Sequence, residues 1–229
     1  MSINKLSFLF KNSRFYHPLR DVFSSGLPAG KHYEMIYDYV PPSGIILNLG
    51  SGSKRLSKKI INVDLFSYRG VDVVADVNHL PFKDNSVIGV INIALLEHLS
   101  SPTKALTEIN RVLARGGYAY SIVPFIQGFH GAPFDYTRWT KLGLEKLFSD
   151  VGFEKIRLGA VGGPTSAFLW VFQEWLAILL SFNIKYLYLF FLYLFMLLTF
   201  PLKYLDIILN KYKFASNITS CFYYLGRKS

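Results

Sequence analysis

Short, continuous apolar runs separated by turn residues do most to narrow what this chain can fold into. They lie at residues 45–49, 60–64, 71–75, 87–93 and 118–123, with another at 153–159. Unbroken apolar runs, as opposed to alternating ones, are what strands covered on both faces require. Helical patterns fall between the later runs. Ser101 and Pro102 open one as cap and first residue, and Leu106, Ile109 and Leu113 keep one apolar stripe until Gly116-Gly117. A second begins at a Thr140 cap and carries Leu144, Leu147, Phe148 and Val151 to Gly152. This alternation predicts an α/β fold with a Rossmann-like parallel sheet and helices on both faces. Before it, residues 1–31 carry Pro18, Gly26, Pro28 and Gly30 and read as an arm, and a short helix over 32–40 is stopped by Pro41-Pro42.

The first strand ends in Leu49-Gly50-Ser51-Gly52-Ser53. Glycines directly after a strand let the backbone turn sharply and approach a ligand with peptide N–H groups exposed. The pattern also serves dinucleotide folds and plain tight turns, although no third glycine stands at the dinucleotide spacing, which disfavours a nicotinamide dehydrogenase. Acidic residues end the next two strands, Asp64 in Asn62-Val63-Asp64 and Asp76 in Val74-Ala75-Asp76. In an open α/β sheet all three places face the crevice at the carboxyl ends of the strands. One carboxylate there is suited to ribose hydroxyls and the other to an adenine amino group, while either taken singly is also a common turn former. Only about ten residues separate the glycine turn from Asp64, fewer than a parallel crossover normally takes, so the first crossover helix is expected to be very short or absent.

The run Leu47-Asn48-Leu49-Gly50-Ser51-Gly52, with Asn62-Val63-Asp64, the segment 75–86 and Leu96-Glu97-His98-Leu99, resembles the class I S-adenosylmethionine (SAM)-dependent methyltransferases of the "methyltransferase type 11" kind. Phe134-Asp135-Tyr136-Thr137-Arg138-Trp139-Thr140 is similar to a subgroup met in bacterial cell-envelope polysaccharide biosynthesis. The resemblance implies SAM as cofactor. In it Gly50, Ser51 and Gly52 line the methionine part, Asp64 holds the ribose, and Asp76 with the Val77 backbone meets the adenine. Asn48, where an acidic residue is usual, is counted with these cofactor-binding positions, and Ser53 stands where many relatives have a third glycine.

SAM brings an already activated methyl group, so the protein must mainly align a nucleophile, and a base helps only with a hydroxyl or protonated amine. Candidates are His130, Asp135 and Arg138 in the loop after the fifth strand, and His98 after the fourth. His130 is the candidate base, with Asp135 or Arg138 orienting the acceptor. An ion pair closing the loop serves Asp135 and Arg138 equally well, and a helix-start contact serves His98. Cys221 is the sole cysteine, which excludes an internal disulfide, and no metal site is expected.

Composition matters most near the C-terminus. The chain is 51% hydrophobic, and residues 168–209 are apolar nearly throughout, with no charge from 186 to 202. At about 1.5 Å per residue those seventeen residues fall short of a ~30 Å hydrocarbon core. The resemblance implies that a final strand inserts beside the run at 153–159, so the strand-like tail 221–227 would return to the sheet and a hairpin or in-plane pair of helices is expected in place of a crossing; a cap buried on protein, or on a dimer partner, is the alternative. The domains are therefore read as an N-terminal arm and helix (1–44), a SAM-binding core (45–160), an apolar helical membrane-associated insertion (161–215) and a returning C-terminal strand (216–229). The net charge of +10 is scattered and carries no nucleic-acid motif, so the expected partner is a membrane, with Lys185, Lys203, Lys211 and Lys213 flanking the apolar stretch. The N-terminal residues lack the pattern of a signal peptide, and a cytoplasmic-face location follows. The expected reaction is O-methylation of a lipid-linked or envelope glycan. A quinone or lipid acceptor, and a membrane-anchored module that retains the fold without catalysis, are the rivals.

Overall fold

The computed structural model describes residues 31–131 and 134–229; the predicted arm up to residue 30 lies outside them. A seven-stranded sheet organises the described chain: β1 (Ile46–Leu49), β2 (Ile60–Asp64), β3 (Val73–Val74), β4 (Val87–Ile93), β5 (Leu113–Pro124), β6 (Phe153–Val161) and β7 (Cys221–Lys228). The strand order is β3-β2-β1-β4-β5-β7-β6, so the last strand inserts between β5 and β6, beside the 153–161 strand as the resemblance implies. The pairs β1–β2, β1–β4, β2–β3 and β4–β5 are parallel, with Leu49 beside Val63 on one side and Asn92 on the other. Helices α1 (Pro102–Val112), α2 (Lys141–Ser149), α3 (Pro164–Leu180), α4 (Lys185–Thr199) and α5 (Asp206–Leu209) complete the chain with short 3-10 turns. The fold is a Rossmann-like α/β sheet with an apolar helical segment before the last strand.

The chain divides into two compact units. One comprises Lys31–Pro124, Tyr136–Gly159 and Phe222–Ser229 and holds most of the sheet. Its core is Leu47, Ile91, Leu106, Ile109, Phe148 and Tyr224, each fully or almost fully buried. The other comprises Phe125–Asp135 and Ala160–Cys221 among the described residues.

Three local expectations are revised. Residues 32–40 form a 3-10 helix over His32–Asp38. Ser101 makes no side-chain cap bond to α1, whereas Thr140 Oγ1 does accept the Gly143 N–H at 3.1 Å. The helix predicted to run to Gly116-Gly117 stops at Val112, and the glycines fall inside β5, where Gly116 has φ +74°. The β4–β5 register slips in this stretch, pairing Val87 with Leu113 but Gly89 with Tyr118, so the glycine pair serves a bulge. No helix lies between β1 and β2, as the short spacing predicts.

Candidate functional site

In the sheet-bearing unit, β1 hands over to a turn in which Gly50 and Gly52 take φ of +66° and +53°. That left-handed backbone is strained for any residue with a side chain. A Cβ on Gly50 would meet Leu95 Cδ1 at 2.8 Å, so packing beneath fixes it, while nothing lies within 4 Å of where a Gly52 Cβ would be. The backbone at Gly52 is therefore open to close approach.

The turn is tied directly to the end of β2. The Ser51 N–H donates to Val63 O at 3.2 Å, and the Gly52 N–H donates to Asp64 Oδ2 at 2.8 Å. Asp64 Oδ1 accepts the Phe66 N–H at 3.0 Å. The Ala75 N–H donates to Asp64 O at 2.9 Å, which puts Asp76 at the neighbouring strand end. Asp76 Oδ1 accepts the Asn78 N–H at 2.8 Å and its side-chain amide at 2.9 Å, and Val77 is buried. Glycine turn, Asp64 and Asp76 thus occupy three adjacent strand ends. This set fits SAM: each carboxylate oxygen keeps lone-pair capacity for hydroxyl donors beyond its peptide bond, and the space over Gly52 admits a ligand. Leu65 and Phe66 are 58% and 49% exposed beside Asp64, an apolar surface suited to a nucleobase. The sequence reasoning missed them, although two apolar residues directly after a strand-ending acid, where turn formers are usual, were a legible signal.

Asn48 is placed beneath this turn. It is buried, and its amide donates to Asn62 Oδ1 at 3.1 Å. The Asn62 amide in turn donates to Gly70 O at 2.9 Å, and the Asn62 N–H donates to Asp72 Oδ2 at 2.8 Å. Arg55 donates to Asp72 Oδ1 at 2.5 Å and to Gly70 O at 3.0 Å. The Arg55 guanidinium, seconded by the Asn62 N–H, holds the Asp72 carboxyl below its ordinary range. This web does the work of the missing crossover helix, holding the connector by side-chain hydrogen bonds.

His98 ends a 3-10 turn, Leu96–His98, its Nε2 3.9 Å from Oε1 of the fully buried Glu97. The Tyr136 N–H donates to Glu97 O at 2.7 Å, fastening the start of the 136–139 segment to that turn. Arg138 Nη1 donates to Thr137 O at 3.0 Å. His130 and Asp135 lie in the other unit. Asp135, its side chain 2% exposed, accepts the His130 N–H at 2.8 Å, closing the loop. His130 Nδ1 is 3.0 Å from Gly128 O, a distance at which Nδ1–H donates and Nε2 becomes the basic nitrogen of the neutral ring. The ring lies 5.9 Å from that of Trp170 on α3. A Cβ on Gly128 would fall 2.7 Å from Trp170 Nε1, so this approach of loop to helix needs the glycine.

A family model described as a methyltransferase domain matches residues 47–121, the stretch that contains the glycine turn and both carboxylates. No curated protein matches the sequence. Among solved structures, a SAM-dependent methyltransferase of Thermotoga maritima is similar at 18% identity and TM-score 0.57, with 100% of each chain covered. A 1,6-didemethyltoxoflavin-N1-methyltransferase of Burkholderia thailandensis, solved with S-adenosylhomocysteine, is similar at 14% identity and TM-score 0.59, covering 98% of this chain and 87% of that one. The cyclase SpnF is similar at 18% identity and TM-score 0.55, covering 86% and 80%. The fold thus hosts more than one chemistry, and over residues 47–121 this chain is similar to a methyltransferase domain.

Proposed function

We propose that this chain methylates a hydroxyl of a lipid-linked or cell-envelope glycan at the cytoplasmic face of a membrane. The observation that carries the reading is the packing of His130 on Trp170. It makes the candidate base and the apolar helices parts of one compact unit, so an acceptor held at a lipid surface meets the group that would take its proton.

Bound SAM supplies an electrophilic methyl on a positive sulfur. In this reading Gly50, Ser51 and Gly52 present backbone to its methionine part, Asp64 accepts from the ribose hydroxyls, and Asp76 with Val77 borders the adenine. His130, with Nε2 as the basic nitrogen of its neutral ring, would be the group to take the acceptor hydroxyl's proton. Asp135 keeps the His130 loop closed, and Arg138 and His98 remain the further candidates for contact with the acceptor. The same apolar surface favours a second reading, in which a membrane quinone or lipid is itself the acceptor.

Two measurements test this. Calorimetry with SAM is expected to show binding that Asp64→Ala weakens at least tenfold; unchanged affinity would remove Asp64 from the ribose. Labelled SAM incubated with the protein and a membrane fraction is expected to put label into an acid-released glycan. Label retained in the lipid extract would select the second reading, and SAM binding without transfer would leave a non-catalytic module.

A further inference from the structure

We infer that α3 and α4 form a hairpin lying flat in the headgroup boundary of a single anionic leaflet, held there by apolar side chains along its length and by lysines at both ends. The inference rests on the membrane location proposed above and specifies how the chain meets the lipid.

The hairpin buries polar pairs beside a small apolar core and presents apolar side chains outward. Gln173 is 1% exposed and donates to Thr199 Oγ1 at 2.6 Å, and the Tyr188 hydroxyl donates to Glu174. Both pairs join α3 to α4, around a small core of Ala177, Leu192 and Met196. The surface carries the reverse: Phe168, Val171, Trp175, Ile178, Leu179 and Phe182 are 49–78% exposed, and so are Tyr186, Phe190 and Leu197 of α4. A soluble helix pair turns its apolar side chains inward and its hydrogen-bonding ones to water. Satisfying polar groups internally while presenting hydrocarbon outward is what a lipid environment selects.

Orientation follows from two further facts. The exposed apolar residues of α3, Phe168, Val171, Trp175, Ile178 and Leu179, recur at spacings of three and four as one stripe along the helix, the pattern of a helix lying in the interface plane. Charge points the same way. Lys185 opens α4 at the hairpin tip, exposed, and Lys211 and Lys213 are exposed beyond the other end. Burying the tip would carry Lys185 toward the bilayer centre, while a flat hairpin leaves Lys185, Lys211 and Lys213 among the headgroups; Lys203, expected to flank the apolar stretch at the membrane, is instead 6% exposed, with its ammonium over the Phe200 and Tyr204 rings. The helical stretch Lys185–Leu209 has 25 residues and is long and apolar enough to span, but it is broken at Phe200–Leu205 by a 3-10 turn containing Pro201. Its far end returns to the start of α3, where Asp206 accepts the Thr165 and Ser166 N–H groups at 2.8 and 2.9 Å.

The test uses the full chain with lipid vesicles. Binding to vesicles containing phosphatidylglycerol is expected to be tighter than to pure phosphatidylcholine by about tenfold or more; equal binding would overturn the anionic assignment. Trp175 reports depth, read as the difference between wild type and Trp175→Phe. Its emission is expected to be quenched more by acyl chains brominated near the headgroup than near the chain end, and the reverse order would overturn the flat orientation. Ile178→Glu with Phe182→Glu, both surface positions, is expected to lower vesicle affinity at least tenfold while SAM binding is kept. A chain that ignores vesicles and instead forms a dimer protecting Trp175 would overturn the inference. Intact SAM binding in that case leaves the methyltransferase reading standing, so the two fail separately.

Discussion

Asp206 offers the sharpest test of how the apolar segment is held together. Its carboxylate is fully buried and accepts three hydrogen bonds at the first turn of α3: the Thr165 N–H at 2.8 Å, the Ser166 N–H at 2.9 Å and the Ser166 hydroxyl. A Cβ on Gly163 would lie 2.3 Å from Asp206 Cγ, so the approach is tight enough to require glycine there. Asp206→Asn keeps the size but removes the charge and turns an amide NH2 toward a peptide donor. Hydrogen bonds to a charged group contribute about 1.5–3 kcal/mol each, and a buried negative charge at a helix N-terminus up to about 2 kcal/mol. Allowing for what the remaining oxygen still accepts, the loss should be about 3 kcal/mol, or roughly two orders of magnitude in the local opening equilibrium. Hydrogen exchange reads this directly. The Thr165 and Ser166 amides should exchange about a hundredfold faster in the variant, with β4 amides unchanged as the internal control. Ser166→Ala, which removes only the hydroxyl contact, should cost about 1 kcal/mol. An acceleration of less than about tenfold in Asp206→Asn would refute the claim that this carboxylate pins α3.

Three further outcomes follow from the sheet-bearing unit. Gly52→Ala should lower the melting temperature by only a few degrees, the cost of its positive φ with no protein atom near its Cβ, yet weaken SAM binding in calorimetry; Gly50→Ala should lower the melting temperature further and weaken binding too, because its Cβ also falls on Leu95. Tyr224→Phe should stabilise the protein by about 1 kcal/mol in denaturant unfolding, because the Tyr224 hydroxyl is buried without a hydrogen-bond partner while the ring stacks on Phe148 at 4.2 Å. Burial pushes His32 below its ordinary value of 6.5. Below that value the unfolded chain binds more protons than the folded one, so the contribution is fully present above about pH 6.5 and shrinks as pH falls toward the folded pKa. Thermal melts at pH 7.5 and 5.5 should show a larger drop for wild type than for His32→Asn, and equal drops would count against a buried neutral His32.

What the sequence made legible follows from where the determining contacts lie. Strands β2 and β4 match their predicted bounds because buried parallel strands write themselves as continuous apolar runs. The glycine turn and the two strand-end carboxylates were legible because strand ends and glycines are local features. The end of α1 was not. Lys228 Nζ donates to Asn110 O at 2.6 Å, to Leu113 O at 2.8 Å and to Asn85 Oδ1 at 2.9 Å, so the helix is capped by a residue more than a hundred positions away. Against that, the local Gly116-Gly117 signal misplaces the stop. Strand β3 shrinks to Val73–Val74 because Asp72 is engaged with Arg55 and Asn62, another partnership of distant residues. Likewise, the sequence predicts an apolar insertion without revealing that its helices face each other through glutamine, threonine, glutamate and tyrosine.

The helix-free link between β1 and β2 leaves no intermediary between the glycine turn and the end of β2. A single carboxylate, Asp64, fixes the Gly52 peptide on one side and Phe66 on the other. If a sugar hydroxyl draws on that carboxylate, the peptide that would greet the amino-acid half of the same ligand feels the pull within one bond length of backbone. The two halves of the cofactor would then be sensed as a unit, and adenosine alone should tighten the grip on methionine.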